Sequence, residues 1–132
     1  MLIAHHLGST QADALQGMLP RAVQLKSLLG PDPWAVPEGV EVVITQPEDM
    51  LPDTYPAWQR RPSHWPGGVR WVHLRSTGVD RYPSWVFDAP MVTTSSGSQA
   101  TSISEYVLSA ILAQEKRGQQ LAVSNPKMWI ER

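Results

Sequence analysis

The sequence predicts an α/β layer fold built on a mainly parallel sheet of about four to five strands. Short apolar strands alternate with stretches of helical period along the chain. The strand candidates carry apolar residues on both faces, as strands buried inside a parallel sheet do. Its 132 residues, 42% hydrophobic and 17% charged, fit one compact domain.

Leu2 to Ala4 opens the chain as a short buried strand feeding a loop. From Gln11 to Leu29 apolar residues recur at helical spacing, with Ser9 or Thr10 as the cap and Gly30 as the stop, and Pro20 must kink or divide the helix. The segment from Pro31 to Pro66 holds eight of the 12 prolines and reads as extended loop. Within it the β-branched run Val40 to Thr45 reads as a second strand. Val69 to Leu74 supplies a third and Met91 to Thr94 a short fourth. A helix follows over Ile103 to Arg117. Ser102 and Glu105 stand at its start as S-x-x-E, the spacing of a capping box, and Lys116, Arg117 and Gly118 supply its cationic last turn and stop. The remaining "QQLAVSNPKMWIER" has no core-forming period and reads as a tail or linker.

Composition narrows the function. A formal charge of -1 with no Lys/Arg cluster removes the broad attraction on which non-specific nucleic-acid binding rests. With no cysteine there is no disulfide framework, thiolate metal site or cysteine nucleophile, which fits a reducing compartment, and a cytoplasmic location is expected. "MLIAHHLGST" lacks the basic lead-in of a secretory signal. The most apolar stretch, Tyr106 to Ala113, falls well short of the roughly 20 residues that a membrane-crossing helix requires.

Parallel sheets bind ligands at the carboxyl ends of their strands, which directs attention to the loops Arg75 to Arg81 and Ser95 to Ser102. In "LRSTGVD" the chain turns at Gly78, whose missing Cβ lets backbone N–H groups approach an anion such as a carboxylate. A plain turn with Asp80 capping the next segment accounts for the same residues. Arg75 is a weaker candidate for a charged fork at that anion. "TTSSGSQATS" opens onto a helix N-terminus able to hold an anion, yet it matches neither the dinucleotide nor the triphosphate fingerprint. Glu105 is explained by capping. His73, beside Trp71 on one strand face, reads as a hydrogen-bonded histidine, and His64 among prolines as exposed. His5 and His6 lack a third ligand at metal-site spacing, so no metal site is expected. Trp58, Trp65 and Trp85 are placed as anchors that a partner domain or subunit would cover. No self-contained hydrolase signature is present, and no catalytic residue is assigned.

The string "VRWVHLRSTGVDRYPSWVFDAPMVTTSSGSQATSISEYVLSAILAQEKR" resembles the substrate-domain segment of the NAD(P)-dependent D-isomer-specific 2-hydroxyacid dehydrogenases. The shared pattern is an apolar strand, a small-small-Gly-Val-Asp turn, a short strand, a polar loop and an Ala/Ser-Glu-aromatic-Val helix. It covers about 50 residues from Val69 to Arg117, and the first 68 residues resemble the family only loosely. The resemblance implies a flavodoxin-like, three-layer substrate domain over residues 1–118. Residues 119–132 would lead toward a separate dinucleotide-binding domain, and the full-length protein would be a homodimer. It implies that the turn matching Thr77 and Gly78, with Ser76, holds the carboxylate of a small 2-hydroxy or 2-keto acid. Gln99 would lie near the substrate and Ile103 near the nicotinamide of NAD or NADP. The turn reads Ser76-Thr77-Gly78 in place of the commoner Ser-Ala-Gly, and Gln99 replaces a residue that is often smaller. The Gly-rich motif and the Arg, Glu and His catalytic set of the family are not found, so the chain is expected to be inactive alone. The rival expectation is a non-catalytic interaction module that binds protein through its tryptophan-bearing surface.

Overall fold

The computed structural model describes residues 1–47 and 57–116. Five strands, β1 (Leu2–His5), β2 (Gln24–Ser27), β3 (Val40–Thr45), β4 (Trp71–Leu74) and β5 (Met91–Thr94), form one sheet in the order β2-β1-β3-β4-β5. Every pairing is parallel. The α/β expectation therefore holds, and the strand order is the flavodoxin-like one. Helix α1 (Ser9–Met18) connects β1 to β2, and helix α2 (Ala100–Glu115) follows β5.

The chain divides into two compact units, Met1–Ser96 and Gly97–Arg132. The first contains the whole sheet. Of the second, residues 97–116 are described and consist mainly of α2. The expected tail, residues 119–132, lies outside the described residues.

Two expectations about local structure are corrected. The stretch Gln11 to Leu29 is not one helix, because α1 ends at Met18 and Gln24–Ser27 is strand β2. Pro20 cannot donate within a helix, and beyond it β1 offers a parallel ladder, pairing Ile3 with Leu25 and His5 with Ser27. Gln16 fixes the crossover by donating from Nε2 to the Val23 carbonyl (3.0 Å) and accepting the Leu25 N–H on Oε1 (3.2 Å). At the start of α1 the N-cap is Gly8, whose N–H is accepted by Gln11 Oε1 at 3.2 Å. The second correction concerns α2, which begins at Ala100 with Gln99 as N-cap and no side-chain cap. Ser102 and Glu105 therefore lie inside the helix and form no capping box. Ahead of it Gly97 takes φ +81°, a left-handed conformation that favours glycine, and its carbonyl accepts the Ala100 N–H at 3.1 Å.

Alternation along the strands sorts the side chains onto two faces. One face sends Ala4, Val43, Val72 and Leu74 into the main core together with Trp34, Trp58, Trp65, Trp85 and Val86. The other carries Ile3 and Val42 with Val23, flanked by Leu25, Ile44 and Trp71. Trp58, Trp65 and Trp85 are thus buried, at 0%, 7% and 8% exposure, and are not surface anchors. Hydrogen bonds explain why the core accepts Trp65, Trp85 and their neighbour Trp34, whereas Trp58 Nε1 is buried without a partner among the described residues. Trp65 Nε1 donates to the Trp85 carbonyl (2.8 Å), Trp85 Nε1 to the Gln59 carbonyl (3.1 Å) and Trp34 Nε1 to the Trp58 carbonyl (2.9 Å). The carbonyls that accept these bonds lie in the short 3-10 turns Ala57–Gln59 and Ser84–Asp88, which leave backbone oxygens needing partners. The rings pack edge to face around Trp34, 5.7 Å from Trp65 and 4.8 Å from Trp85.

Candidate functional site

The predicted turn leaves the carboxyl end of β4. The Arg75 N–H still joins the sheet ladder, bonding the Thr45 carbonyl at 2.9 Å, and the chain then bends over Ser76, Thr77 and Gly78. Ser76 Oγ donates to the Gly78 carbonyl at 2.6 Å. Its one hydrogen is spent there, so the contact with the Tyr82 hydroxyl at 3.0 Å has Tyr82 as donor. The Ser76 carbonyl accepts the Ser95 N–H at 3.1 Å, which ties the turn to the loop after β5. Ser76 therefore shapes the turn. Thr77 and Gly78 are exposed, and no backbone hydrogen bond to another described residue engages their N–H groups.

Gly78 is needed for a different reason from the one the sequence suggests. Its φ lies outside the left-handed region, and a Cβ placed on it would stand 2.9 Å from Asp80 Oδ1. The glycine makes room for the Asp80 carboxylate. An incoming anion shares this turn with that negative charge, which opposes it. A cation on the same edge is the half-buried Arg75, whose Nη1 donates to Gln46 Oε1 at 2.6 Å.

Beside the turn, His73 is held at both ring nitrogens. Trp71 Nε1 donates to Thr93 Oγ1 (2.8 Å), and Thr93 Oγ1 lies 3.0 Å from His73 Nδ1. His73 Nε2 lies 3.3 Å from Ser95 Oγ, which donates to the Leu74 carbonyl (3.3 Å). One neutral assignment satisfies the whole chain. Thr93 donates to Nδ1, and Nε2–H donates to Ser95. The reading of His73 as a hydrogen-bonded histidine agrees with this geometry.

In this strand order the ligand crevice is expected outside the carboxyl ends of β1 and β3. There His6 is fully buried. Its Nε2 donates to the Pro33 carbonyl at 2.6 Å, so Nδ1 accepts from the Thr45 hydroxyl at 3.0 Å. Burial first, offset by the Pro33 bond and reinforced by the neighbouring His5, lowers its pKa to about 4. His6 locks the loop to the sheet as a neutral ring. Sequence reasoning weighed the two adjacent histidines only as metal ligands. The signal it passed over is period two, which puts His5 and His6 on opposite faces at a strand end. Among the described residues no group of three or more His, Asp or Glu gathers as a metal site.

Gln99 and Ile103 fall in the second unit. Gln99 is the N-cap of α2, and its carbonyl accepts the Ile103 N–H at 3.0 Å, so the two are one turn apart. Ile103 is 57% exposed. Ser76, Thr77 and Gly78 come together in the first unit, and Gln99 and Ile103 come together in the second. Among the described residues no helix is long and apolar enough to cross a membrane. No family model, no curated protein and no solved structure matches this chain.

Proposed function

We propose that the chain is the substrate-binding domain of an NAD(P)-dependent oxidoreductase that interconverts D-2-hydroxy acids and 2-keto acids. The observation that carries this reading is the turn after β4. It stands on the carboxyl edge of an all-parallel sheet, and Thr77 and Gly78 are exposed residues whose N–H groups are uncommitted to backbone partners among the described residues. Two such donors match the oxygens of a carboxylate. Ser76 acts by holding the bend, and Arg75 adds positive charge at its base. Gln99 and Ile103 are assigned to the same reaction through the family resemblance, Gln99 toward the substrate and Ile103 toward the nicotinamide.

The cofactor, NAD or NADP, would supply or accept the hydride. Ile103 offers an exposed aliphatic side chain, which suits the face of a flat ring. The sequence holds no Gly-rich dinucleotide loop, so a separate dinucleotide-binding domain would hold the rest. Burial of Trp58, Trp65 and Trp85 withdraws the surface on which the interaction-module reading stood.

The test is an amide NMR titration of the chain with pyruvate and D-lactate. Saturable shifts at Thr77 and Gly78 are expected, with no NADH oxidation by the chain alone and turnover restored when a dinucleotide-binding domain is added. Pyruvate shifts elsewhere with none at this turn, or turnover by the chain alone, would overturn the reading.

A further inference from the structure

We infer that the groove between α1 and the edge strand β2 binds a small neutral polyol of the sugar class, at a site separate from the turn after β4. The groove has a volume of about 390 Å³, within the range of small-molecule sites, and its walls include Ser9 and Asp13 of α1, Leu25 and Ser27 of β2, and His5 at the end of β1. His5 supplies a donor that is open to the groove. Its residue is 4% exposed, yet only one ring nitrogen is used within the described structure, with Nδ1 accepting the Leu7 N–H at 3.1 Å. That bond fixes the neutral tautomer, so Nε2 carries the hydrogen and has no partner among the described residues. Burial lowers the pKa of the ring and keeps it uncharged near neutrality.

The groove thus presents a fixed N–H donor from His5, a carboxylate acceptor from Asp13 and hydroxyls from Ser9 and Ser27, against the apolar surface of Leu25. An anion meets Asp13 and finds no formal cation among these residues. A cation meets the His5 N–H. A polyol satisfies both, with one hydroxyl oxygen accepting from His5 and adjacent hydroxyls donating to the carboxylate, while its C–H face lies on the leucine.

The probe is D-ribose, followed by amide NMR on the intact chain, with sodium acetate and ethylammonium chloride as charged comparators. Saturable shifts at Leu7, Gly8 and Ser27 in the millimolar range are expected for ribose, weakened severalfold in Asp13→Asn. They should be abolished in Ala12→Phe, which fills the groove from a half-exposed helix position and leaves the remaining spectrum unchanged. No saturable ribose shift, a shift that survives Ala12→Phe, or preference for acetate or ethylammonium overturns the proposal. Pyruvate shifts confined to Thr77 and Gly78 leave this site's outcome independent of the proposed function.

Discussion

His6 donates its Nε2–H to the Pro33 carbonyl at 2.6 Å, across 27 residues of sequence. The ring stands edge-on to Trp34 and Trp58, with centroids 5.2 and 5.4 Å away. It pins the proline-rich segment to the carboxyl end of β1 while Thr45 closes its other nitrogen. A second proton on this ring would turn the Thr45 hydroxyl away from Nδ1 toward its weaker acceptor, the Gln46 carbonyl 3.5 Å away, inside the core.

Acid should therefore unfold the protein earlier than its carboxylates alone would. The folded ring titrates at about 4 and the unfolded one at about 6.5, so the unfolded state binds the proton first. The contribution is complete above pH 6.5 and is lost as pH falls toward 4, by about 3 kcal/mol in total. Chemical denaturation at stepped pH should show stability declining through this window. His6→Phe should flatten the slope there, whatever its effect on absolute stability. A wild-type profile level between pH 6.5 and 4 would contradict a sequestered neutral ring.

Trp34 and Trp58 are both fully enclosed but differ in polar satisfaction. Trp34 Nε1 serves the Trp58 carbonyl, whereas Trp58 Nε1 is buried without a hydrogen-bond partner among the described residues. Trp34→Phe deletes a donor and orphans a buried carbonyl. Trp58→Phe removes an unpaired donor and so relieves a desolvation cost. Trp34→Phe should be the more destabilising by about 1–3 kcal/mol, read from urea unfolding midpoints at equal slopes. Equal losses would mean that the indole bond contributes nothing net.

Much of the fold is legible because the strands announce themselves. Val40 to Thr45 and Met91 to Thr94 occupy the predicted positions, since β-branched runs suit a pleated sheet and little else. Edge strand β2 escapes detection because Gln24, Leu25, Lys26 and Ser27 continue a helical spacing that begins before Pro20. What makes them a strand is the ladder offered by β1, a tertiary partner that no local window contains. The tryptophans are misplaced for a related reason. The burial of Trp65 and Trp85 depends on the carbonyls of Trp85 and Gln59 in short 3-10 turns, and periodicity does not predict where such turns present their oxygens. At the candidate site the turn itself is visible in Ser76-Thr77-Gly78, but the proximity of Asp80 to Gly78 is not, because it arises from the turn's path.

The Gly78–Asp80 proximity separates fold from binding. Gly78→Ala brings a methyl against the free end of an exposed side chain at a φ that any residue can adopt, so Asp80 can swing aside. Stability should change by less than about 0.5 kcal/mol. Pyruvate affinity should fall about tenfold, because the methyl sits beside the two N–H donors, and Asp80→Asn should raise affinity by removing the opposing charge. Both are measured by the same amide titration. Unchanged affinity in both variants would place the acid elsewhere.

Arg75 offers a sharper distinction between charge and geometry. Its Nη1 bond to Gln46 Oε1 at 2.6 Å spans the ends of β3 and β4, holding the guanidinium at the base of the turn. Arg75→Lys keeps the charge but loses the planar fork, so the cation is no longer fixed by Gln46. Gln46→Ala leaves the guanidinium in place with less to hold it. If Arg75 assists the acid as an oriented cation, Arg75→Lys and Gln46→Ala should both weaken pyruvate binding severalfold. Arg75→Gln should weaken it further and reduce its dependence on salt, since the remaining N–H donors carry no formal charge. Arg75→Lys and Arg75→Gln should each lose only about 0.5–1.5 kcal/mol of stability, the range of one partly buried hydrogen bond. Titrations at low and high ionic strength measure the salt term directly. An Arg75→Gln protein that binds pyruvate with unaltered affinity at low salt would remove Arg75 from the site and leave the acid to the turn's amides alone.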